Sequence, residues 1–404
     1  MTGLSPQKQP RIVLTVNNAA AKSIWLSRVR LDHFRNYPAA DLRISAGHIV
    51  VLGDNGTGKT NLLEAISMLA PGRGMRRARG EQLAFAATAD PGRGSRRADW
   101  AVSARLETSD GAIDIGTGVP PDSTSGNRIM RLEGHTVSQA DMGYRIAVSW
   151  LTPQMDGIFL DSPAARRRFL DRLVIAFDPA HIGRLSRYEK ALRQRAHLLA
   201  EGGGDSAWYS ALESVLAETA VAVTAARHSL IRALSDEAAK GWFGFPGVAL
   251  HVTGDTENWL SDMPALDVED RIMIAAKTAR LAGDATMPGP HRSEFQAQHL
   301  ASGLMASHCS TGQQKAMLIA VILAHARLQE KRLGRVPVML FDDVAAHLDH
   351  QRRDALLDAL QCLGGQCWYS GTDDAQFSSL ATDAQFVRLK LAPTAGKAPI
   401  IEVE

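Results

Sequence analysis

Gly53-Asp54-Asn55-Gly56-Thr57-Gly58-Lys59-Thr60 constrains this chain more than any other stretch, because it fits G-x-x-x-x-G-K-[ST] position for position. The apolar run His48-Ile49-Val50-Val51-Leu52 precedes it, and Asn61-Leu62-Leu63-Glu64-Ala65-Ile66-Ser67-Met68-Leu69 follows with helical spacing. Strand, glycine loop and helix in that order predict a phosphate-binding loop. Gly53, Gly56 and Gly58 let the backbone turn tightly, so that several N–H groups converge on one anion. The helix start adds its dipole. Lys59 is expected to reach the β- and γ-phosphates of a nucleotide and Thr60 to hold Mg²⁺, with Asn61 closing the site.

Such a loop needs a sheet around it, and 404 residues leave room for two or three domains. A charged fraction of 22% against 45% hydrophobic is that of a folded globular protein. With a net charge of only +2, a nucleic-acid partner has to be met by a local patch. Cys309, Cys362 and Cys367 form no C-x-x-C pair and read as reduced thiols of a cytoplasmic protein. No apolar run approaches the roughly 18 residues of a membrane helix. In residues 1–22 the run Ile12 to Val16 is too short for a secretory core, and the segment reads as a mobile tail.

From Ile24 to Leu31 apolar and polar residues alternate, as in a half-buried strand, and Leu42-Arg43-Ile44 reads as the returning strand. Between them, Arg35 faces either a nucleotide or solvent. Residues 71–97 hold Arg73, Arg76, Arg77, Arg79, Arg93, Arg96 and Arg97 against Glu81 and Asp90. This is either a surface for DNA phosphates, with Arg76, Arg77 and Arg79 as its candidates, or a solvated loop. Trp100–Leu106, Ile113–Gly116 and Arg128–Leu132 resume strand pattern. Ile146–Leu151 is a buried strand ended by Thr152-Pro153-Gln154, where Gln154 meets either Mg²⁺ and the attacking water or only a turn. Ser162 and Pro163 fit the N-cap and first position of a helix.

Residues 171 to 240 are helical and charged, broken at Gly202-Gly203-Gly204. The two halves predict a compact arm of antiparallel helices, with Arg187 and Arg193 on its basic side as further DNA candidates. Trp242–Val252 returns toward strand, and Asp267–Leu281 is another helix.

Three C-terminal features complete the pattern. Gly289-Pro290-His291-Arg292-Ser293-Glu294-Phe295 is one. Ser310-Thr311-Gly312-Gln313-Gln314-Lys315 opens an apolar helix, with Ser310 as a cap or an anion contact. Val338-Met339-Leu340-Phe341 is a buried strand ending in Asp342 and Asp343, at the strand end where open α/β sheets place ligands. Asp342 is expected to bind Mg²⁺, and Asp343 to polarise the hydrolytic water.

Taken with Phe34-Arg35-Asn36-Tyr37, Ser162 to Asp171 and Phe341 to Asp349, these motifs resemble the RecF family of bacterial recombination and replication-repair ATPases, relatives of SMC heads. The resemblance spans about residues 24 to 390. It implies an α/β fold: an ABC-type, two-lobed P-loop ATPase head with an inserted helical arm. On that pattern 1–22 is the tail, 23–160 the first part of the head, 161–285 the arm and return, and 286–404 the second part. The resemblance also implies ATP and Mg²⁺ as cofactors and an ATP-dependent homodimer. It implies binding to double-stranded DNA and to single-strand/double-strand junctions at gaps. Slow DNA-stimulated ATP hydrolysis would accompany work with RecR and RecO to load RecA, in support of the SOS response. Carried onto this sequence, Ser310, Gly312, Gln313 and Lys315 match the signature that faces a partner's nucleotide, Leu348-Asp349 the D-loop, and Gln154 the Q-loop by position. Asp343 stands where many ABC ATPases carry Glu. Gly371-Thr372-Asp373 stands where many carry a switch histidine. A transporter ATPase subunit is the alternative, disfavoured by the long insertion and the basic loop.

Overall fold

A computed structural model describes residues 24–78, 80–85, 99–121, 123, 126–202, 205–344, 348–390 and 399–403. The proposed tail and Arg79, Arg93, Arg96 and Arg97 lie outside them. Alternation in the N-terminal third produces one antiparallel sheet. Strands β1 (Trp25–Phe34) and β2 (Tyr37–Arg43) form a hairpin. The chain then leaves for β3 (His48–Leu52), helix α1 (Lys59–Ser67) and the short α2 (Gly80–Leu83). It returns in β4 (Trp100–Thr108), β5 (Gly111–Val119), β6 (Ile129–Leu132) and β7 (His135–Val137), giving the order β2-β1-β4-β5-β6-β7. Leu26, Val29, Leu31 and Phe34 of β1 are buried, and a register shift between Leu26 and Arg28 interrupts the alternation.

The remaining elements, in order, are α3 (Gln139–Gly143), β8 (Val148–Leu151), α4 (Pro163–Ile175), α5 (His181–Glu201), α6 (Ser206–Ala238), β9 (Val248–Thr253), α7 (Asp255–Asp262), α8 (Ala265–Leu281), β10 (Glu294–His299), α9 (Thr311–Leu333), β11 (Val338–Phe341), α10 (His350–Leu363), β12 (Cys367–Gly371), β13 (Ala384–Lys390) and β14 (Ile400–Val403). A second six-stranded sheet runs β14-β13-β3-β12-β11-β8 and is parallel except for the β13–β14 pair. β3 and β11 are buried at every position, which is why they read as continuous apolar runs, and β12 is buried throughout as well. Helix α9 is buried almost without interruption from Gln314 to Ala326, as a helix enclosed by the core must be.

Ser162 caps α4 by accepting the Ala165 N–H, and Gly202 ends α5 at φ 63°. The 33 residues of α6, about 50 Å of helix, join two apolar clusters. Leu212, Leu216 and Ala220 pack with Tyr188, Val268 and Ile272, while Leu230, Ile231 and Leu234 enter the core around the parallel sheet. Where the clusters meet, Arg227 of α6 clasps Asp171 of α4 through two bonds of 2.8 Å. His181 Nε2 lies 2.9 Å from the same carboxylate, and Arg227 also donates to the Pro290 carbonyl at 2.7 Å. The Gly289–Phe295 motif is thus bound to the arm base through buried polar groups.

Candidate nucleotide and metal site

The glycine loop connects β3 to α1, and the hairpin of the first sheet braces it. Asn36 Nδ2 donates to the Thr57 carbonyl at 3.2 Å and Tyr37 Oη to the Gly58 carbonyl at 3.0 Å. Gly58 has φ 107°, and a Cβ there would lie 2.4 Å from Asn36 Nδ2, so both the turn and the close approach demand glycine. Asn61 Nδ2 donates to Asn36 Oδ1 at 2.7 Å. Lys59 is buried and folds over the loop, donating to the Gly53 and Asp54 carbonyls at 2.7 and 3.0 Å. Arg35 is half-buried beside the helix that follows the loop. Its guanidinium forks onto the fully buried Glu64 of α1 in two bonds of 2.8 Å.

Parallel register sets the acids beside this loop. Phe341 pairs with Leu151 and Tyr369, and the Asp342 N–H donates to the Leu151 carbonyl at 3.0 Å. Thr60 Oγ1 donates to Asp342 Oδ1 at 2.8 Å, and Ser370 Oγ donates to the same oxygen at 2.8 Å. Burial pushes the Asp342 pKa above the ordinary Asp value, against the lowering effect of the Ser370 and Thr60 hydrogen bonds, and the charge of Asp343 raises it further. Asp343 has φ 49°, an uncommon conformation for a non-glycine residue. A hydroxyl and a carboxylate oxygen, drawn together beside a phosphate loop, form the hard-oxygen donor set that Mg²⁺ takes. Gln154 is exposed on the 3₁₀ turn Pro153–Met155 that follows β8.

Ser310 caps α9. Its hydroxyl accepts the Gln313 N–H at 3.3 Å, and Gln313 Oε1 accepts the Ser310 N–H at 3.0 Å. This is a capping box. Gly312 lies in the first turn, its carbonyl accepting from Arg352 at 3.2 Å. Lys315 departs from the expected placement. It is buried, and its ammonium lies 3.0 Å from Asp156, turned away from the surface that Ser310 occupies. Five residues past the cap, at about 100° per residue, it falls on the core-facing side of the helix. Asp349 caps α10 by accepting the Arg352 N–H at 2.8 Å.

A family model described as the RecF/RecN/SMC N terminal domain matches residues 25–377. The chain is 44% identical over 368 residues to the DNA replication and repair protein RecF of Mesorhizobium japonicum, covering 90% of this chain and 95% of that one. It belongs to the RecF family. A second relative, the DNA replication and repair protein RecF of Agrobacterium fabrum, is 42% identical over 370 residues, 90% and 96% of the two chains. Among solved structures, the recombination mediator protein RecF, described as RecF-ATPrS in the RecFOR pathway, matches with a TM-score of 0.77 at 21% identity, over 91% of this chain and 97% of that one. An Smc head domain with an extended coiled coil, from Pyrococcus furiosus, matches with a TM-score of 0.53 at 16% identity, over 94% and 96%. The fold of this RecF-family chain is therefore the ABC-type ATPase head shared by RecF and SMC proteins.

The DNA candidates fare unevenly in this RecF-family chain. Arg76 is tied to α1, donating to Asn61 Oδ1 at 2.8 Å with Glu64 3.5 Å away. Arg187 and Arg193 stand in exposed pairs with Glu218 at 3.4 Å and Glu189 at 3.7 Å. Arg79 lies outside the described residues. Arg77 is exposed at φ 56°. Partial desolvation of its guanidinium, then the charges of Arg168 and Arg73, press its pKa below the ordinary arginine value, against the opposing charge of Glu189. Among the described residues none of these three arginines has a carboxylate at ion-pair distance. Sequence reasoning passed over Arg168, Glu64 and Ser370. Arg168 belongs to the quoted Ser162–Asp171 motif, and Arg166-Arg167-Arg168 was its signal. The partners of Glu64 and Ser370 are 29 and 28 residues away and left no local signal.

Proposed function

We propose that this chain is an ATP-dependent DNA-binding protein of replication and recombinational repair. The observation that carries the reading is the Thr60–Asp342 hydrogen bond beside a braced phosphate loop, in a chain whose relatives are named for DNA replication and repair. The residues Gly53, Asp54, Asn55, Gly56, Thr57, Gly58, Lys59 and Thr60 cradle the phosphates, with Asn61 behind them. Thr60 and Asp342 hold the metal, and Gln154 is its third candidate contact. Magnesium and ATP together supply the reactive phosphoanhydride and neutralise its charge. Asp343 holds and polarises the attacking water. Its carboxylate is one methylene shorter than Glu, which suits a slow, DNA-stimulated ATPase.

In the pairing of two copies, Ser310, Gly312 and Gln313 face the partner's nucleotide. Lys315 acts behind them by anchoring α9 to Asp156. The DNA surface is Arg73, Arg77 and Arg168, at the foot of the 161–285 arm. Like charges brought close together gain from a polyanion, and arginine forks suit phosphates. Duplex DNA and gapped junctions are the substrates. RecR and RecO are the partners that pass the gap to RecA, supporting the SOS response in the cytoplasm. Equilibrium binding of ATP with Mg²⁺ tests the nucleotide site: Lys59→Ala is expected to weaken it about 10- to 150-fold, the worth of a lost charge-assisted contact. Affinity within about twofold of wild type would remove the assignment.

A further inference from the structure

Strand β12 lies between β3 and β11, so its C-terminal end comes out between the phosphate loop and the two acids. Ser370 stands there, 1% exposed. Its hydroxyl has one proton, given to Asp342 Oδ1 at 2.8 Å. Its lone pair accepts the Asp343 N–H at 2.8 Å. Thr60 bonds the same Asp342 oxygen, so a continuous chain runs from the Asp343 peptide to the metal-side hydroxyl. The Asp343 carboxylate is 3.5 Å from Ser370 Oγ, whose proton is already committed. The Asp343 side chain therefore stays available while its backbone is pinned.

That backbone needs pinning. At φ 49° Asp343 occupies a conformation that costs an L-residue free energy and persists only where its surroundings impose it. The hydrogen bond to Ser370 fixes the Asp342–Asp343 peptide, the frame from which the Asp343 side chain is presented. We infer that Ser370 is a positioning residue of the hydrolytic site, fixing the Asp343 carboxylate relative to the metal-binding Asp342 in a chain that lacks a switch histidine after this strand. The inference rests on the ATPase reading above. A serine that merely satisfies a buried carboxylate would contribute stability alone.

Ser370→Ala and Ser370→Thr separate the two roles. Ser370 borders a small cavity of about 10 Å³, lined also by Phe341, Tyr369 and Phe377. In the nucleotide-free protein, amide exchange followed by NMR is expected to be at least about tenfold faster at Asp343 in Ser370→Ala, with Met339 to Phe341 unchanged. Steady-state ATP hydrolysis is expected to lose at least about tenfold in kcat with KM within about twofold. Ser370→Thr, which keeps the hydroxyl, is expected to restore both. A folded Ser370→Ala protein with wild-type kcat overturns the inference, as does a folded Ser370→Thr protein that stays as slow as Ser370→Ala. Should Ser370→Ala not fold, Ser370→Cys, with its weak S–H donor, carries the same expectations. A wild-type chain without ATP turnover overturns the functional reading instead, and Asp343 amide exchange still decides whether Ser370 holds that peptide.

Discussion

The Thr60 hydroxyl donates to Asp342 Oδ1 at 2.8 Å and joins residues 282 positions apart in the chain. One belongs to the helix after the glycine loop, the other to the end of β11, and β12 separates their two strands in the sheet. The pair proposed to hold the metal exists only because the parallel sheet brings both strand ends to one edge, so the proposed chemistry is a consequence of topology.

The water-activating role is proposed for Asp343 by its position beside Asp342. Asp343→Asn is expected to leave ATP affinity within about twofold and to slow turnover by about 100-fold or more, the lower range for loss of a general base. Phosphate release under saturating ATP measures it. Turnover at the wild-type rate would make Asp343 a bystander.

Ser310 separates a cap from a composite site. As a cap alone, its loss costs about 0.5–2 kcal/mol and leaves assembly intact. As a contact to a second copy's nucleotide, Ser310→Arg is expected to stay folded, bind ATP and remain monomeric in sedimentation with ATP and Mg²⁺. A folded variant that dimerises like wild type excludes the composite site.

Local signals were legible in the sequence, and meetings between distant elements were not. The glycine loop is eight contiguous residues with a strand before and a helix after. β3 and β11 announce themselves as apolar runs, and Ser162 and Ser310 as caps, because their hydrogen bonds stay within three residues. Lys315 belongs with Ser310 to the signature that the resemblance supplies, whereas its partner Asp156 is 159 positions away. Arg35 finds Glu64, and Arg227 finds Asp171, for the same reason: periodicity says which face of an element is buried, never what it is buried against. Ser370 was invisible because a serine at the end of an apolar strand has no signature until the neighbouring strand is known.

Asp171 predicts an acid-sensitive joint at the arm base. Burial opposes its charge, yet the Arg227 guanidinium and the hydrogen bonds from His181 and Arg227 hold its pKa below the ordinary Asp value. A lowered carboxylate pKa gives stability that is present above the unfolded-state value and lost as pH falls through the folded one. Asp171→Ala leaves Arg227 buried without its counter-charge, with the Pro290 carbonyl still accepting from it, at a cost of about 3–5 kcal/mol. Urea unfolding is expected to give that difference at neutral pH and a smaller one as acid protonates Asp171 in wild type. A difference unchanged between neutral and acid pH would contradict the ion-pair account.

Arg73, Arg77 and Arg168 are expected to act on all duplex sequences alike. Their triple replacement by Ala should weaken DNA binding uniformly and reduce the salt dependence, each lost phosphate contact removing about 0.9 from the log–log slope. An unchanged slope would move the surface, with Arg187 and Arg193 on α5 next in line.

In the proposed function, nucleotide governs the grip on DNA. Affinity for a gapped duplex, measured at fixed salt with and without ATP and Mg²⁺, tests it in wild type and Lys59→Ala. ATP favours the DNA-binding state only as far as it binds that state better. Wild type is expected to gain about tenfold or more with ATP, a coupling of about 1.4 kcal/mol, and Lys59→Ala to gain nothing. Equal wild-type affinity in both conditions, at concentrations where ATP is bound, would contradict the account.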